Sequence, residues 1–254
     1  AAEGYHRGVV KITLPAKGDA RDRWLTRSEV AKLVWACWRH RETQTIHRGP
    51  KKGQKIATNK RPLRHLARFI LIGVYTGTRA GAIAAASPIP AIGRSYVDLE
   101  RGRFYRRQRG AAKTKKRQPT VPLPDRLLAH LRRWHRIDPD AKHFVEFNGK
   151  PVTSVKTAFK SAVTLAEIST DDGNVSPHTL RHTAATWLMQ RAADPWQASG
   201  YLGMSLKMLM DTYGHHHPDY LDDAVKKITA RETKVEQKKD VSGAVTGAVV
   251  PFKK

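Results

Sequence analysis

The chain has 254 residues, and 47 Lys or Arg against 22 Asp or Glu give a formal net charge of +25. Its apolar fraction of 40% is enough to bury a core, which excludes wholesale disorder, and its single Cys excludes an internal disulfide framework or a multi-cysteine zinc site. No apolar run approaches the roughly 18 residues of a membrane span. The charge therefore predicts a polyanionic partner, with nucleic acid favoured over a membrane surface.

Basic residues concentrate in two stretches of the chain. Residues 101–117 hold nine of them and no acid: Arg101, Arg103, Arg106, Arg107, Arg109, Lys113, Lys115, Lys116 and Arg117. The second stretch comprises Arg48, Lys51, Lys52, Lys55, Lys60, Arg61, Arg64 and Arg68. Such residues supply affinity for phosphates rather than sequence choice. The alternative interpretation is two solvated loops.

The first predicted element follows a linker or arm at residues 1–22, which has no hydrophobic period. The chain opens on Ala rather than Met, and we expect a fragment or a processed chain. Thr26 and Glu29 form a capping-box pattern that starts a helix with apolar residues at helical spacing. Residues 43–61 are polar, basic and glycine-containing, which predicts a loop.

The middle of the chain changes from helical to strand-like patterns. Pro62 begins a second helix that stops at Gly77, and a short helical turn over residues 79–86 follows. Strand-like pieces come next, at residues 95–99, 103–107 and 118–123.

The last third of the chain is predicted to be helical. One helix is predicted to start at Pro124-Asp125 and another to cover 154–168. A third starts at the Ser176-Pro177 signal and runs to about 191. Three more are predicted at 195–202, 205–213 and 218–229. Residues 231–254 have the composition of a tail. The sum is an α+β fold, mostly helical, with a small antiparallel β-sheet.

Several common site types are absent from the sequence. It has no G-x-x-x-x-G-K-[ST] loop, no G-x-G-x-x-G turn and no G-x-S-x-G elbow, and its carboxylates are scattered, so we expect no nucleotide cofactor and no metal. His178 and His182 have the i, i+4 spacing of two zinc ligands, and the histidines at 215–217 could supply a third. That zinc hydrolase remains a minor alternative, because Thr179 stands where a metalloprotease has Glu.

The same region also suits a phosphate. His178 and Arg181 share one face in the first turn of a predicted helix, where orphan N–H groups and the helix dipole favour an anion. Arg79 follows Gly77 at the start of another helix. Tyr213 lies on or near the buried stripe of its own helix, and the alternative is a core aromatic residue.

Four motifs in this order resemble the catalytic domain of the tyrosine recombinases, the phage-integrase family. They are T-G-T-R at 76–79, K-T-K at 113–115 with V-P-L at 121–123, H-T-L-R-H-T at 178–183, and L-G-x9-Y ending at Tyr213. The resemblance covers roughly residues 22–230. It implies a catalytic domain at 23–230 that cuts and rejoins DNA through a 3′-phosphotyrosine intermediate.

The resemblance also implies a role for each matching residue. Arg79 and Arg181 would bind the scissile phosphate, His178 would take the tyrosine proton, and Tyr213 would attack phosphorus. Lys113 would protonate the departing 5′-oxygen, with Lys115 as the alternative. Further DNA contacts are expected from Arg106, Arg107, Arg109, Lys115, Lys116 and Arg117.

Two positions depart from the family pattern. Met204 stands where the family usually has His or Trp, and a thioether cannot donate a hydrogen bond. We expect His182, His215 or His216 to substitute for it. Ala82 stands where an acid usually follows Arg79, which predicts a different partner for Arg79.

The resemblance further implies a setting for this domain. We expect duplex DNA as the partner, four protomers on DNA during recombination, accessory DNA-bending proteins and no membrane. The lone Cys37 favours a reducing compartment, so a cytoplasmic, nucleoid-associated location is expected. Residues 1–22 are too short for the DNA-clamping domain that usually precedes this one, and residues 231–254 could dock on a neighbouring protomer. The alternatives are a DNA-binding fragment without catalysis and a type IB topoisomerase.

Overall fold

The computed structural model describes residues 23–112, 114 and 117–229. Its α-helices are α1 (Arg27–Arg39), α2 (Arg64–Thr76), α3 (Ala80–Ala84), α4 (Asp125–Ile137), α5 (Lys156–Leu165), α6 (Thr179–Met189), α7 (Pro195–Leu202), α8 (Leu206–Tyr213) and α9 (Asp222–Thr229). Its strands are β1 (Thr43–Thr45), β2 (Lys55–Ala57), β3 (Ala86–Ser87), β4 (Ser95–Asp98), β5 (Arg103–Tyr105), β6 (Thr120–Pro122), β7 (Glu146–Phe147) and β8 (Lys150–Pro151). The predicted arm at 1–22 and tail at 231–254 lie outside the described residues.

The predicted α+β class is confirmed, with one difference in the main sheet. Its strand order is β3-β4-β5-β6; β4, β5 and β6 are antiparallel neighbours, whereas β3 pairs with β4 in parallel. Val97, Phe104 and Val121 occupy one register row and are buried. Tyr96 and Tyr105 form the next row on the opposite face, where their rings stack.

Helix starts that depend on local side chains agree with the starts predicted from the sequence. Thr26 caps α1 and forms the full capping box with Glu29, and Ser205 caps α8 by accepting a hydrogen bond from Met208 N. The start of α6 is different. Residues 176–179 form a separate turn, in which Thr179 N donates to the Ser176 carbonyl at 2.9 Å, and α6 begins only at Thr179. His178 is therefore the N-cap residue, and Arg181 remains in the first turn.

Two hairpins were not predicted from the sequence. Residues 43–61, predicted as a loop, contain the antiparallel pair β1–β2. The second hairpin, β7–β8, turns at Asn148 and Gly149, both with positive φ. The Asn-Gly pair is a known signal for such a turn. The first hairpin lacks apolar alternation, so periodicity could not reveal it.

The main hydrophobic core is built around α2. This helix buries residues on most of its faces, among them Leu66, Phe69 and Ile70, and it packs against α1 and α6. Gly73 allows the approach of α6, since a Cβ there would lie 2.8 Å from Leu180 Cδ1. Cys37 belongs to this core, and burial raises the pKa of its thiol to about 12. No helix in the described part of the chain could cross a membrane.

The described chain divides into two units. The first extends to Tyr220, and the second begins at Leu221 and contains α9. We predicted the last helix from residue 218, but α9 starts at Asp222.

Arg106 lies in the interior, where its guanidinium has a structural role, and its expected contact with DNA stays a prediction. Only 3% of the residue is exposed. Its guanidinium donates to the Thr76 carbonyl at 2.5 Å and to the Tyr201 carbonyl at 2.7 Å, at the ends of α2 and α7. The inward–outward alternation of β5 continues just past its end, so Arg106 points inward while Arg107 is exposed. Burial lowers the Arg106 pKa to about 10, which leaves the side chain charged at neutral pH.

Arg106→Ala is expected to lower the free energy of unfolding by about 3 kcal/mol, because two buried carbonyls lose charge-assisted hydrogen bonds. Denaturant unfolding of the purified chain measures this. The matched control is Arg107→Ala, whose exposed side chain predicts a change within about 0.5 kcal/mol. Equal effects of the two substitutions would contradict the structural role of Arg106.

Candidate active site

The T-G-T-R motif turns the chain out of α2. Gly77 ends the helix in the left-handed region with φ of 60°, and a Cβ there would lie 2.4 Å from Leu202 Cδ2. Only glycine satisfies both conditions. The Thr76 and Thr78 hydroxyls, both buried, are hydrogen-bonded at 2.7 Å and fix the turn. Arg79 then becomes the N-cap residue of α3.

A backbone carbonyl holds Arg79. Its Nη1 donates to the Arg117 carbonyl at 2.8 Å. Ala82 is buried one turn later and offers no carboxylate. The expectation that Arg79 has a partner other than an acid at position 82 agrees with this contact, which links α3 to the segment before β6.

Arg181 is the buried cation at the centre of the site. Only 6% of the residue is exposed. Its Nη1 donates to the carbonyls of Gly77 at 2.7 Å and Leu202 at 2.6 Å, and its Nη2 donates to the Gly203 carbonyl at 3.4 Å. Burial first and the charge of Arg79 second lower the Arg181 pKa to about 10, while Tyr213 opposes that shift. Arg181 therefore stays protonated at neutral pH, and its charge interacts with both Arg79 and Tyr213.

These arginines meet in one small cleft. It is lined by Thr78, Arg79, Ala82, Arg106, Arg117, Gln118, Arg181 and Leu202. Four lining residues are arginines, and no acidic side chain is among the described residues that line it. Guanidinium groups bind phosphate oxygens with directed N–H donors. The cleft therefore suits a phosphate group.

Tyr213 is the last residue of α8 and is 6% exposed. It packs in a second apolar cluster with Ala184, Leu209 and Met204. Its hydroxyl is 2.7 Å from His182 Nδ1. If Nδ1 accepts the phenolic proton, the neutral imidazole carries its own proton on Nε2. A hydroxyl that is hydrogen-bonded to a base is the arrangement that nucleophilic catalysis requires.

The hydrogen bond to Tyr213 makes His182 a second candidate for the acceptor of the tyrosine proton, beside His178. The resemblance gave the tyrosine proton to His178, whereas the structure places His182 Nδ1 against the hydroxyl. His178 lies behind it, with ring centroids 4.8 Å apart in an edge-to-face arrangement. His178 and His182 are four residues apart, so they are neighbours on one face of the chain. The same spacing suggested the zinc hypothesis. Among the described residues, no three His, Cys, Asp or Glu side chains gather as a metal site requires.

Met204 provides packing rather than a polar contact. It is 7% exposed and belongs to the apolar cluster around Tyr213. Of its predicted substitutes, His182 contacts Tyr213, His215 is exposed, and His216 packs edge-on against Trp24. Which of them replaces the missing donor stays a prediction.

The remaining basic residues fall into two groups. Arg107, Arg109 and Arg117 are exposed, as expected of residues that contact DNA, and Arg107 donates to the Ala111 carbonyl at 2.6 Å. Lys113, Lys115 and Lys116 lie outside the described residues, so their predicted roles stay predictions.

Known proteins share this architecture. A crystal structure of XerA recombinase superposes with a TM-score of 0.52 at 17% identity and covers 87% of this chain and 68% of that one. The Tn1549 transposon integrase in complex with circular intermediate DNA gives a TM-score of 0.56 at 16% identity, with 83% and 68% covered. At these identities the likeness concerns the fold.

Sequence comparison identifies the family. A tyrosine recombinase from Thermosipho africanus (strain TCF52B) is 34% identical over 111 residues, which are 42% of this chain. The chain spans only 38% of the length of that relative. The phage integrase family model matches residues 42–219, a range that contains Arg79, Arg181, His182 and Tyr213. The chain therefore belongs to the phage integrase family.

Proposed function

We propose that this chain carries the catalytic domain of a site-specific DNA recombinase, at residues 23–230, which cuts and rejoins DNA through Tyr213. The observation that carries the proposal is the 2.7 Å hydrogen bond between the buried Tyr213 hydroxyl and His182 Nδ1. Arg181 lies close enough to Tyr213 for their charges to interact. A nucleophile, a proton acceptor and a phosphate-binding cation are thereby brought together.

In the first step the Tyr213 oxygen attacks the scissile phosphorus. The new bond is a phosphotyrosine ester, and the bond to the 5′-oxygen breaks. A phenol ionises only near pH 10 in water, so attack at neutral pH requires a proton acceptor, and His182 Nδ1 is placed to receive this proton. The departing 5′-oxygen takes a proton from Lys113 or Lys115, as the resemblance implies.

The arginines stabilise the transition state. Negative charge builds up on the equatorial phosphate oxygens, and the guanidiniums of Arg79 and Arg181 are already held by backbone carbonyls before DNA arrives. Preorganised donors need little reorganisation during the reaction, which is why they contribute strongly.

The covalent intermediate conserves the phosphodiester bond energy. A 5′-hydroxyl from another strand attacks the phosphotyrosine and restores a phosphodiester. Its proton goes to the lysine that protonated the first 5′-oxygen, and protonated His182 returns a proton to Tyr213. The cycle consumes no nucleotide, consistent with a sequence that has no phosphate-binding glycine loop.

Strand exchange requires partners beyond this chain. We propose duplex DNA as the substrate, a tetramer of protomers on DNA, accessory DNA-bending proteins, and residues 231–254 as a docking segment for a neighbouring protomer. The proposed location is the compartment that holds the DNA. Solved relatives bound to DNA include the Tn1549 transposon integrase, which supports the first of these partners.

Tyr213→Phe is expected to abolish covalent trapping while DNA affinity changes by less than a few-fold, because only the nucleophilic oxygen is lost. The assay incubates the chain with nicked duplexes of degenerate sequence in EDTA and measures a denaturant-resistant protein–DNA band. The matched control is Tyr220→Phe, which removes the hydroxyl of an exposed tyrosine. A band that persists in Tyr213→Phe, or no band with the unchanged chain, would contradict the proposal.

Arg181→Ala and Arg79→Ala are each expected to slow adduct formation by about 10²-fold or more, since each removes a preorganised donor to the transition state. Single-turnover trapping at saturating DNA measures the rate. Arg191→Ala, which changes an exposed arginine just beyond α6, serves as the control and should keep the rate within about twofold. Near-normal cleavage by either site variant would mean that the cleft does not bind the scissile phosphate.

His182→Gln is expected to slow cleavage, because the Tyr213 hydroxyl loses the imidazole that is placed to accept its proton. The measurement is the rate of single-turnover trapping at saturating DNA, with His178→Gln compared. If His178→Gln slows cleavage strongly and His182→Gln keeps the wild-type rate, the proton acceptor is His178 instead.

A further inference from the structure

The β1–β2 hairpin is a basic arm, here defined as residues 42–58. All six residues of its strands are exposed, so neither face of the ribbon packs on the core. An isolated two-stranded hairpin is marginal in water, because it buries little apolar surface. The arm's fold therefore depends on backbone hydrogen bonds at its turn and its base.

The backbone bonds keep the arm extended. At the tip, Ile46 and Gly53 pair through Gly53 N to Ile46 O at 2.8 Å, and Gly49 and Gly53 have φ of 83° and 87°. At the base, Glu42 N donates to Lys60 O at 3.0 Å. Arg61 fastens this base to the end of α1, since its Nη1 donates to the Trp38 carbonyl at 3.1 Å.

The basic residues of this region far outnumber its acids, and the acid at the base of the arm, Glu42, lies 4.0 Å from Lys60. Between Glu42 and Asp98 the sequence contains no Asp or Glu, but ten Lys or Arg residues, four of them in the arm: Arg48, Lys51, Lys52 and Lys55. The strand pairs Thr43–Ala57, Gln44–Ile56 and Thr45–Lys55 include no ion pair. Clustered like charges repel one another, and a polyanion relieves that repulsion.

The arm lies within reach of the same DNA as the active site. Its base joins the start of α2, and the other end of α2 leads through Gly77 to Arg79. The 13 residues of α2 span about 20 Å, a distance comparable to about six base pairs along a duplex.

From these observations we propose that the basic arm binds the phosphate backbone of DNA outside the cleavage site. This inference rests on the proposed function, since it assumes that Arg79 and Tyr213 act on DNA. Because the arm offers lysines and an arginine on a narrow ribbon, it supplies affinity that is independent of base sequence.

The test is the salt dependence of DNA binding. The probe is a fluorescent 40-base-pair duplex of random sequence, titrated with the full chain by anisotropy from about 50 to 300 mM NaCl. The arm variant is Arg48→Gln, Lys51→Gln, Lys52→Gln and Lys55→Gln together. The matched control, Lys142→Gln, Lys150→Gln, Lys156→Gln and Lys160→Gln, removes the same charge from other exposed lysines. All eight side chains are exposed, and thermal unfolding by circular dichroism verifies that both variants fold.

The slope of log K against log[salt] falls by about 0.9 per lost phosphate contact. For the arm variant we expect the magnitude of this slope to decrease by about 2 or more and the affinity at 100 mM NaCl to fall at least tenfold. For the control we expect the magnitude of the slope to decrease by less than about 1. An arm variant with the wild-type slope, or with the same loss as the control, would overturn the proposal.

Covalent trapping at saturating DNA separates the two proposals. The arm variant should form the Tyr213 adduct at close to the wild-type rate, because the arm holds DNA without taking part in the chemistry. If the unchanged chain forms no adduct, the proposed function fails, and the slope difference still decides whether the arm binds DNA.

Discussion

The site depends on two buried arginines that hold the carbonyl ends of two helices. Arg181 bonds to the carbonyls of Gly77 and Leu202, and Arg106 bonds to those of the neighbouring residues Thr76 and Tyr201. The last carbonyls of a helix lack internal partners and form the negative end of its dipole. The two cations satisfy these groups at α2 and α7 together and fix both helix ends against each other.

The candidate site residues Arg79 and Tyr213 come after those two helix ends in the chain. Gly77 leads from α2 to Arg79, and Gly203 leads from α7 to α8, whose last residue is Tyr213. The same contacts that stabilise the fold thereby set the distance between Tyr213 and the arginines of the cleft. Since carbonyls rather than carboxylates hold Arg181, its positive charge is not neutralised and remains available to an anion.

Where short-range side-chain interactions decide the structure, the sequence was a reliable guide. The capping box of Thr26 and Glu29, the α7 bounds at 195–202 and the α8 start next to Ser205 all agree with the structure. The start of α6 does not, because residues 176–179 form a separate turn before the helix begins at Thr179. The β1–β2 hairpin escaped prediction because no apolar face marks its strands, and only backbone pairing reveals it.

The sequence by itself determined the chemistry available to this protein: its charge, the order of its motifs, and the residues Arg79, Arg181 and Tyr213. Only the tertiary structure decided how those groups are used. Arg106 and Arg107 are neighbours in the chain, yet one is buried and the other exposed, because the inward–outward alternation of β5 continues just past its end. The contact between His182 and the Tyr213 hydroxyl joins residues 31 apart, so its geometry depends on how α8 packs against α6.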